Sequence, residues 1–221
     1  MSTLGPPPRF ASVVLDVDST LSGIEGIDWL AARRGDGVSA AVAALTDRAM
    51  RGEIALDEVF GTRLAMVRPT RDEVAALTRE YEAHAAPGAA DAVRALRRAG
   101  VRVVVVSGGL REAVAPFAAA MLGVPDGDVH AVRVRFDDGG AYAGYDEASP
   151  LATATGKRTL VESLDLPAPA LAVGDGATDL AMRPAVSAFA AFTGFASRAP
   201  VVAAAEYTVS SFSQLLDLVL R

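Results

Sequence analysis

The chain has 221 residues and no cysteine. That excludes disulfides, thiolate-bound zinc and a thiol nucleophile, and it suits a reducing cytosol. Histidine is nearly as scarce: His84 and His130 are the only two, too few for a multi-histidine metal site. Positive charge is in deficit, with 21 Lys and Arg against 27 Asp and Glu and a net charge of −6. No Lys/Arg block offsets it, so no nucleic-acid partner is expected. No apolar run is long enough to span a bilayer, so no membrane partner is expected either. The N-terminus lacks a charged region followed by an apolar core, so no signal peptide is expected and the chain reads as cytoplasmic. Residues Met1–Arg9, with Gly5-Pro6-Pro7-Pro8, read as a loose tail. What is abundant is apolar surface: 51% of residues are hydrophobic, enough for the core of one sizeable domain, or of a domain carrying an insertion.

The stretch that organises the rest is Ala11–Leu21, A-S-V-V-L-D-V-D-S-T-L. Ser12–Val17 is a short, β-branched run that reads as a buried strand. Side chains alternate along a strand, so Asp16 and Asp18 leave its end on one side, with Val17 turned away. Two adjacent carboxylates repel unless a cation or a shared proton compensates. A divalent cation held by oxygen is the usual solution, and Mg²⁺ needs only one or two carboxylates. Taken alone, Asp18-Ser19-Thr20 is equally a turn or a helix cap.

Four helical stretches follow without an intervening strand. The first starts near Ile24, with Ile24, Ile27, Leu30 and Ala31 at helical spacing. Trp29 reads as core, and Glu25, on the approach, reads first as a surface acid. The others are Val38–Arg51, Leu56–Val67 and Arg71–His84, the last capped by Pro69-Thr70 with Val74, Leu77, Thr78 and Tyr81 inward. They make a small helical bundle inserted after the first strand and ending near Pro87-Gly88.

From Gly88 a helix runs to Ala99, then Val101–Val106 reads as a central parallel strand. It is followed by a Ser107-Gly108-Gly109 turn and a helix over Leu110–Leu122. Strand, glycine-rich turn and helix together can bind an anion through backbone N–H groups, though an ordinary tight turn reads the same way. His130–Phe136 and Ala141–Tyr145 around Asp137-Asp138-Gly139-Gly140 read as a β-hairpin, a second and smaller insertion. Lys157 starts a helix to about Leu164. Thr155-Gly156-Lys157 is no phosphate-binding P-loop, because Leu151 stands where its first glycine belongs and Arg158 where Mg²⁺ would need a hydroxyl. Ala170–Val173 is a strand ending in G-D-G-A-T-D. Asp179 in place of the last glycine excludes a dinucleotide fingerprint. Asp175 and Asp179, four apart, can face the same way. Val186–Ala191 and Glu206–Val209 supply two more strands, and Phe212–Leu220 a closing helix.

Strands alternating with helices imply an α/β fold with a doubly wound parallel sheet. Residues 1–21 and 88–221 are expected to form that core, with the hairpin at about 130–146 and a helical cap over 22–87. Ligands of such sheets bind at the carboxyl ends of the strands. All four polar signals lie there: Asp16/Asp18, Ser107-Gly108-Gly109, Lys157 and Asp175/Asp179. An acidic metal cage, an anion loop and a lone cation are what phosphoryl transfer requires, and a carboxylate can serve as its nucleophile.

On these residues the chain resembles the haloacid dehalogenase superfamily of phosphatases. D-V-D-S-T, E-G-I-D, R-A-M, S-G-G, A-G-Y-D-E, G-K and G-D-G-A-T-D occur in order between Ser12 and Val219. The resemblance implies a Mg²⁺-dependent hydrolase in which Asp16 attacks phosphorus and Asp18 is the general acid/base. It implies Mg²⁺ on Asp16, on the Asp18 carbonyl and on Asp175, with Asp179 in support. Ser107, Gly108, Gly109 and Lys157 would bind the phosphoryl oxygens, with Thr178 also at the substrate. The E-G-I-D stretch and Arg63 are similar to those of members that hydrolyse O-phospho-L-serine, the last step of serine biosynthesis. By that resemblance Glu25 meets the ammonium, Arg63 the carboxylate, and Met50 and Leu56 line the pocket. Three positions depart from the pattern: Leu56 falls where many members have Phe, Val132 where many have Asn, and Arg158 where Gly is common. The resemblance leaves open a phosphatase for phosphoethanolamine or phosphocholine, a phosphotransferase to an alcohol such as homoserine, and a catalytically dead binding protein. A small phosphomonoester is the expected partner, and the chain a monomer or homodimer.

Overall fold

The computed structural model describes residues 7–50, 54 and 56–221. The chain opens with strand β1 (Ser12–Leu15), buried along its whole length. Four helices follow: α1 (Gly26–Ala32), α2 (Asp36–Met50), α3 (Leu56–Val67) and α4 (Arg71–Ala83). After them come α5 (Ala89–Arg98), β2 (Arg102–Leu110), α6 (Arg111–Phe117) and β3 (Val129–Val132). Strands β4 (Val134–Phe136) and β5 (Tyr142–Tyr145) pair as an antiparallel hairpin. The chain ends with α7 (Gly156–Ser163), β6 (Ala170–Gly174), α8 (Ala177–Leu180), β7 (Ala188–Phe192), α9 (Ala199–Ala204), β8 (Tyr207–Val209) and α10 (Phe212–Leu220).

Six strands form one parallel sheet in the order β3-β2-β1-β6-β7-β8. Central β1 pairs Val14 with Val104 on one side and with Ala172 on the other. Both faces of such a strand are covered, which is why Val13, Val14 and Val103–Val106 form nearly continuous apolar runs. The connections leave in opposite directions from the β1/β6 pair, so a crevice opens at the carboxyl ends of these two strands.

Two elements differ from the sequence reading. Ser107-Gly108-Gly109 is not a separate turn: β2 continues to Leu110, which pairs with Val132, and the ladder shifts register between Val106 and Leu110. Two glycines let the strand bulge there without side-chain crowding. The segment from Val129 to Val132 is not part of the hairpin but the sheet's edge strand, with Val106 opposite His130. Alternation looks the same for an edge strand and a hairpin arm, so the pattern alone did not separate them.

The chain enters and leaves the four-helix segment through a narrow neck. Ala86 N–H donates to Leu21 O at 2.8 Å and Gly23 N–H to His84 O at 2.9 Å. Val42, Phe60, Leu64, Val67, Val74 and Leu77 are buried among the helices, and α4 touches the sheet domain through Thr78 Oγ1, which donates to Ala113 O at 3.3 Å. Thr70 caps α4 in a reciprocal box with Glu73. Glu73 also takes a forked pair of bonds from Arg34 just beyond α1, Nη1 to Oε1 at 2.5 Å and Nη2 to Oε2. A two-pronged guanidinium–carboxylate pair is the strong form of this contact.

Arg34 and the Thr70 backbone hold the Glu73 carboxyl down at about 2 against the opposing effect of burial. A depressed folded-state value means this stability is present above the unfolded value near 4.5 and is lost as pH falls towards 2. Glu73→Gln is expected to cost about 1–2 kcal/mol at neutral pH, discounted for the quarter of each side chain that is exposed. Thermal melts of both proteins from pH 7 to pH 3 check this: the gap should narrow below pH 4.5, and a pH-independent gap would contradict it.

Candidate active site

At the carboxyl end of β1, Asp16 is 4% exposed and its N–H donates to Val173 O at 3.1 Å, fixing it beside β6. Lys157, 6% exposed at the start of α7, donates from Nζ to Asp16 Oδ1 at 2.5 Å and to Asp179 Oδ1 at 2.6 Å. Burial alone would lower the lysine's pKa, but the two carboxylates outweigh it and hold it well above the ordinary range. Asp16 is pushed well above the usual carboxylate range by burial and by Asp179, against Lys157. Asp175, just past β6, is pushed up to about 6 by burial and by Asp179, while Arg198 Nε, donating to its Oδ2 at 2.9 Å, opposes the rise. Asp179 in the first turn of α8 accepts the Gly176 N–H at 2.9 Å. Gly174 must lack a side chain, because a Cβ there would lie 2.2 Å from Asp179 Cγ.

One oxygen from each of Asp16, Asp175 and Asp179 lies within 4.8 Å of the others. Hard oxygen donors at that spacing suit a cation such as Mg²⁺. The charge balance fits as well: among the described residues, Asp16, Asp18, Asp175 and Asp179 have Lys157 and Arg198 as their cations in direct contact. Two negative charges are left over, which a bound cation would offset.

Asp18 has different surroundings. Its Oδ1 accepts the Gly26 N–H at 2.6 Å and the Tyr81 hydroxyl at 2.9 Å, and its Oδ2 has Ser107 Oγ at 3.5 Å. Burial raises its pKa, while the Gly26 and Tyr81 bonds oppose the rise. Ser107 is fully buried and its Oγ accepts the Gly109 N–H at 2.9 Å.

A pocket of about 460 Å³ opens above these groups, lined by Asp16, Asp18, Gly108, Gly109, Lys157, Asp175, Thr178 and Asp179 from the sheet domain. Its other wall comes from the helices and includes Glu25, Asp28, Phe60 and Arg63. Glu25 is exposed, as the surface-acid reading expects, but it lies in the pocket wall, where it accepts a bond from Ser19 Oγ at 2.8 Å and stands 3.9 Å from Arg198. Arg63 pairs with Asp28 at 2.8 Å, and its buried Nε has no acceptor. Ser107 lies beneath the pocket rather than in its wall. The side chains of Met50 and Leu56 lie outside the described residues. The sequence reading missed Arg198 and the neighbours Ser19, Gly26 and Asp28, and took Tyr81 only as core. Asp28 and Gly26 sit in the quoted E-G-I-D stretch and could have been found; Arg198 is a lone arginine in a loop and had no signal.

The chain belongs to the haloacid dehalogenase-like hydrolase family, whose model matches residues 13–183. Among its relatives it is 38% identical to phosphoserine phosphatase of Mus musculus over 208 residues, covering 93% of this chain and 91% of that protein. The Homo sapiens phosphoserine phosphatase is 36% identical over the same coverage. The fold matches a solved structure of a phospho-aspartyl intermediate analogue of phosphoserine phosphatase with a TM-score of 0.77 and 25% identity, over 95% of this chain and 98% of that one.

Mg²⁺ should raise the melting temperature without any substrate. At a hundredfold excess over Kd the gain is about 2.7 kcal/mol. Asp175→Ala should remove most of that rise. A melt that ignores Mg²⁺ in the wild-type protein would show that the acidic cluster does not hold it.

Proposed function

We propose that this protein is a Mg²⁺-dependent phosphomonoesterase that hydrolyses O-phospho-L-serine to serine and phosphate through an aspartyl-phosphate on Asp16. Such an enzyme would complete serine biosynthesis in the cytoplasm. The observation that carries the reading is that Glu25 and Arg63 line the same pocket as Asp16 and Lys157. It pairs an acid and a base for the two charged groups of an amino acid with the machinery for phosphoryl transfer. The identity to phosphoserine phosphatases over 93% of the chain supports the same substrate.

In this reading residues 22–87 form the cap and residues 1–21 and 88–221 the core. Gly108, Gly109 and Lys157 hold the phosphoryl oxygens, Ser107 supports them from below, and Thr178 lies beside the substrate. Asp16, the Asp18 carbonyl and Asp175 would hold Mg²⁺, with Asp179 in support. The bound cation would neutralise charge on the transferring group and on the nucleophile. An Asp16 oxygen attacks phosphorus, the P–O bond to serine breaks, and its electron pair goes to the serine oxygen, which takes a proton from Asp18. Asp18 then removes a proton from water as that water attacks phosphorus, and the bond to Asp16 breaks to free phosphate. Arg63, in the pocket wall, meets the serine carboxylate, whose two oxygens match the planar guanidinium fork. Phosphoethanolamine and phosphocholine lack that carboxylate and leave Arg63 unused.

Phosphate release from phosphoserine with Mg²⁺ tests the reading, and Asp16→Asn should reduce turnover below a few per cent. Arg63→Ala should lower kcat/KM for phosphoserine on the order of ten- to a hundredfold, since one charge-assisted pair is worth roughly 1.5–3 kcal/mol. The same change should leave phosphoethanolamine nearly unaffected. An unchanged ratio between the two substrates would mean that Arg63 does not read the carboxylate.

A further inference from the structure

Tyr81 lies outside every motif that marks the site, yet its hydroxyl reaches the centre of it. The residue is fully buried on α4, with its ring tilted against Phe117 at 5.6 Å. Two glycines make room for the hydroxyl. A Cβ on Gly26 would stand 2.1 Å from it, and one on Gly109 would stand 3.2 Å from it. The hydroxyl donates to Asp18 Oδ1 at 2.9 Å, and the Gly26 N–H donates to the same oxygen at 2.6 Å. The other oxygen, Oδ2, faces Ser107 Oγ at 3.5 Å and would lie 3.2 Å from a Cβ on Gly109.

We infer that Tyr81 is a positioning residue that commits one oxygen of Asp18, Oδ2, to proton transfer. The inference rests on the role given to Asp18 above. Oδ1 already accepts from two donors, so a proton placed there would confront both of them. The acid proton of Asp18 therefore sits on Oδ2, on the side of Ser107, Gly108 and Gly109 where the phosphoryl group is held. As the P–O bond breaks, its electron pair goes to the ester oxygen and the Oδ2 proton follows. In the second half-reaction the same Oδ2 accepts a proton from water. Tyr81 suits this duty because its ring is packed against Phe117 and its hydroxyl is held between Gly26 and Gly109, so the bond to Oδ1 keeps one direction.

The leaving group provides a test that a structural role alone does not pass. A serine alkoxide needs its proton, whereas p-nitrophenolate leaves without one. Tyr81→Phe keeps the ring and removes the hydroxyl, and Tyr81→Met repeats the loss with different packing. Both are expected to slow single-turnover cleavage of phosphoserine by about ten- to a hundredfold, a part of what general acid catalysis supplies. KM should stay within about twofold, and the p-nitrophenolate burst should keep its wild-type rate to within the same factor. If wild-type enzyme prefers another alkyl phosphate, the same ratio is read with that ester. Equal loss on both leaving groups, or no loss on either, overturns the inference. Asp18→Asn run alongside separates the two levels. If it is impaired while both Tyr81 variants behave as wild type, only the positioning role falls. If Asp18→Asn keeps wild-type rates on alkyl esters, the acid/base role and the inference fall together.

Discussion

The interaction on which the site depends is the double ion pair of Lys157 with Asp16 and Asp179, all three less than a tenth exposed. Burying such charges is unfavourable unless each finds a partner. Here one ammonium ties together the end of β1, the start of α7 and the first turn of α8. Its aim is fixed by backbone contacts: a Cβ on Gly156, the residue before it, would fall 1.6 Å from Pro150 O. Neither Gly156 nor Gly174 has room for a side chain: the first lies against the Pro150 backbone and the second against the Asp179 side chain itself. Arg198 restrains Asp175 from the opposite side. With four acids against two bases, the arrangement still favours a cation among the carboxylates over a site without one.

Sheet order explains why these groups meet. Parallel strands point all their carboxyl ends the same way, and β1 and β6 are adjacent where the connections diverge. Asp16 and Asp175, 159 positions apart in the chain by their numbers, thereby become neighbours. The four-helix segment leaves the sheet domain through the neck at Leu21–Gly23 and His84–Ala86 and supplies the facing wall of the pocket. The two walls of the pocket are thus drawn from different parts of the chain, which the proposed function assigns to phosphoryl chemistry and to recognition of the rest of the substrate.

The sequence made local features legible. The continuous apolar runs of β1, β2 and β6 and the helical spacing of Leu56–Val67 are set by burial on one or two faces, and burial writes itself into residue type. The same holds for Asp16, Asp18, Asp175 and Asp179, since carboxylates beside apolar strands are conspicuous. Pairings between distant segments were not legible. Nothing near Tyr81 announces that its hydroxyl meets Asp18, because an inward tyrosine at helical spacing reads as core. Arg198 sits in a loop with no pattern around it, and its partner is 23 positions away. The extension of β2 through Ser107-Gly108-Gly109 was hidden for another reason: glycines signal a turn by composition, but here the strand bulges across them and rejoins β3 at Leu110.

Asp16 and Asp18 are two residues apart on one strand end, and their environments divide the labour between them. The partners of Asp16 are Lys157 and the other acids, all within the sheet domain. The donors to Asp18 Oδ1, Gly26 and Tyr81, both belong to the helical segment. A displacement of the helices relative to the sheet changes what Asp18 touches and leaves the contacts of Asp16 in place. Under the proposed function, the geometry of the nucleophile Asp16 is built into the sheet, whereas that of the acid/base Asp18 draws on the helical segment. That separation matters for a two-step reaction, because an exposed Asp18 would handle protons from bulk water rather than from the ester oxygen or the attacking water. In the proposed reaction, the same seated helical segment therefore serves both water exclusion and proton transfer.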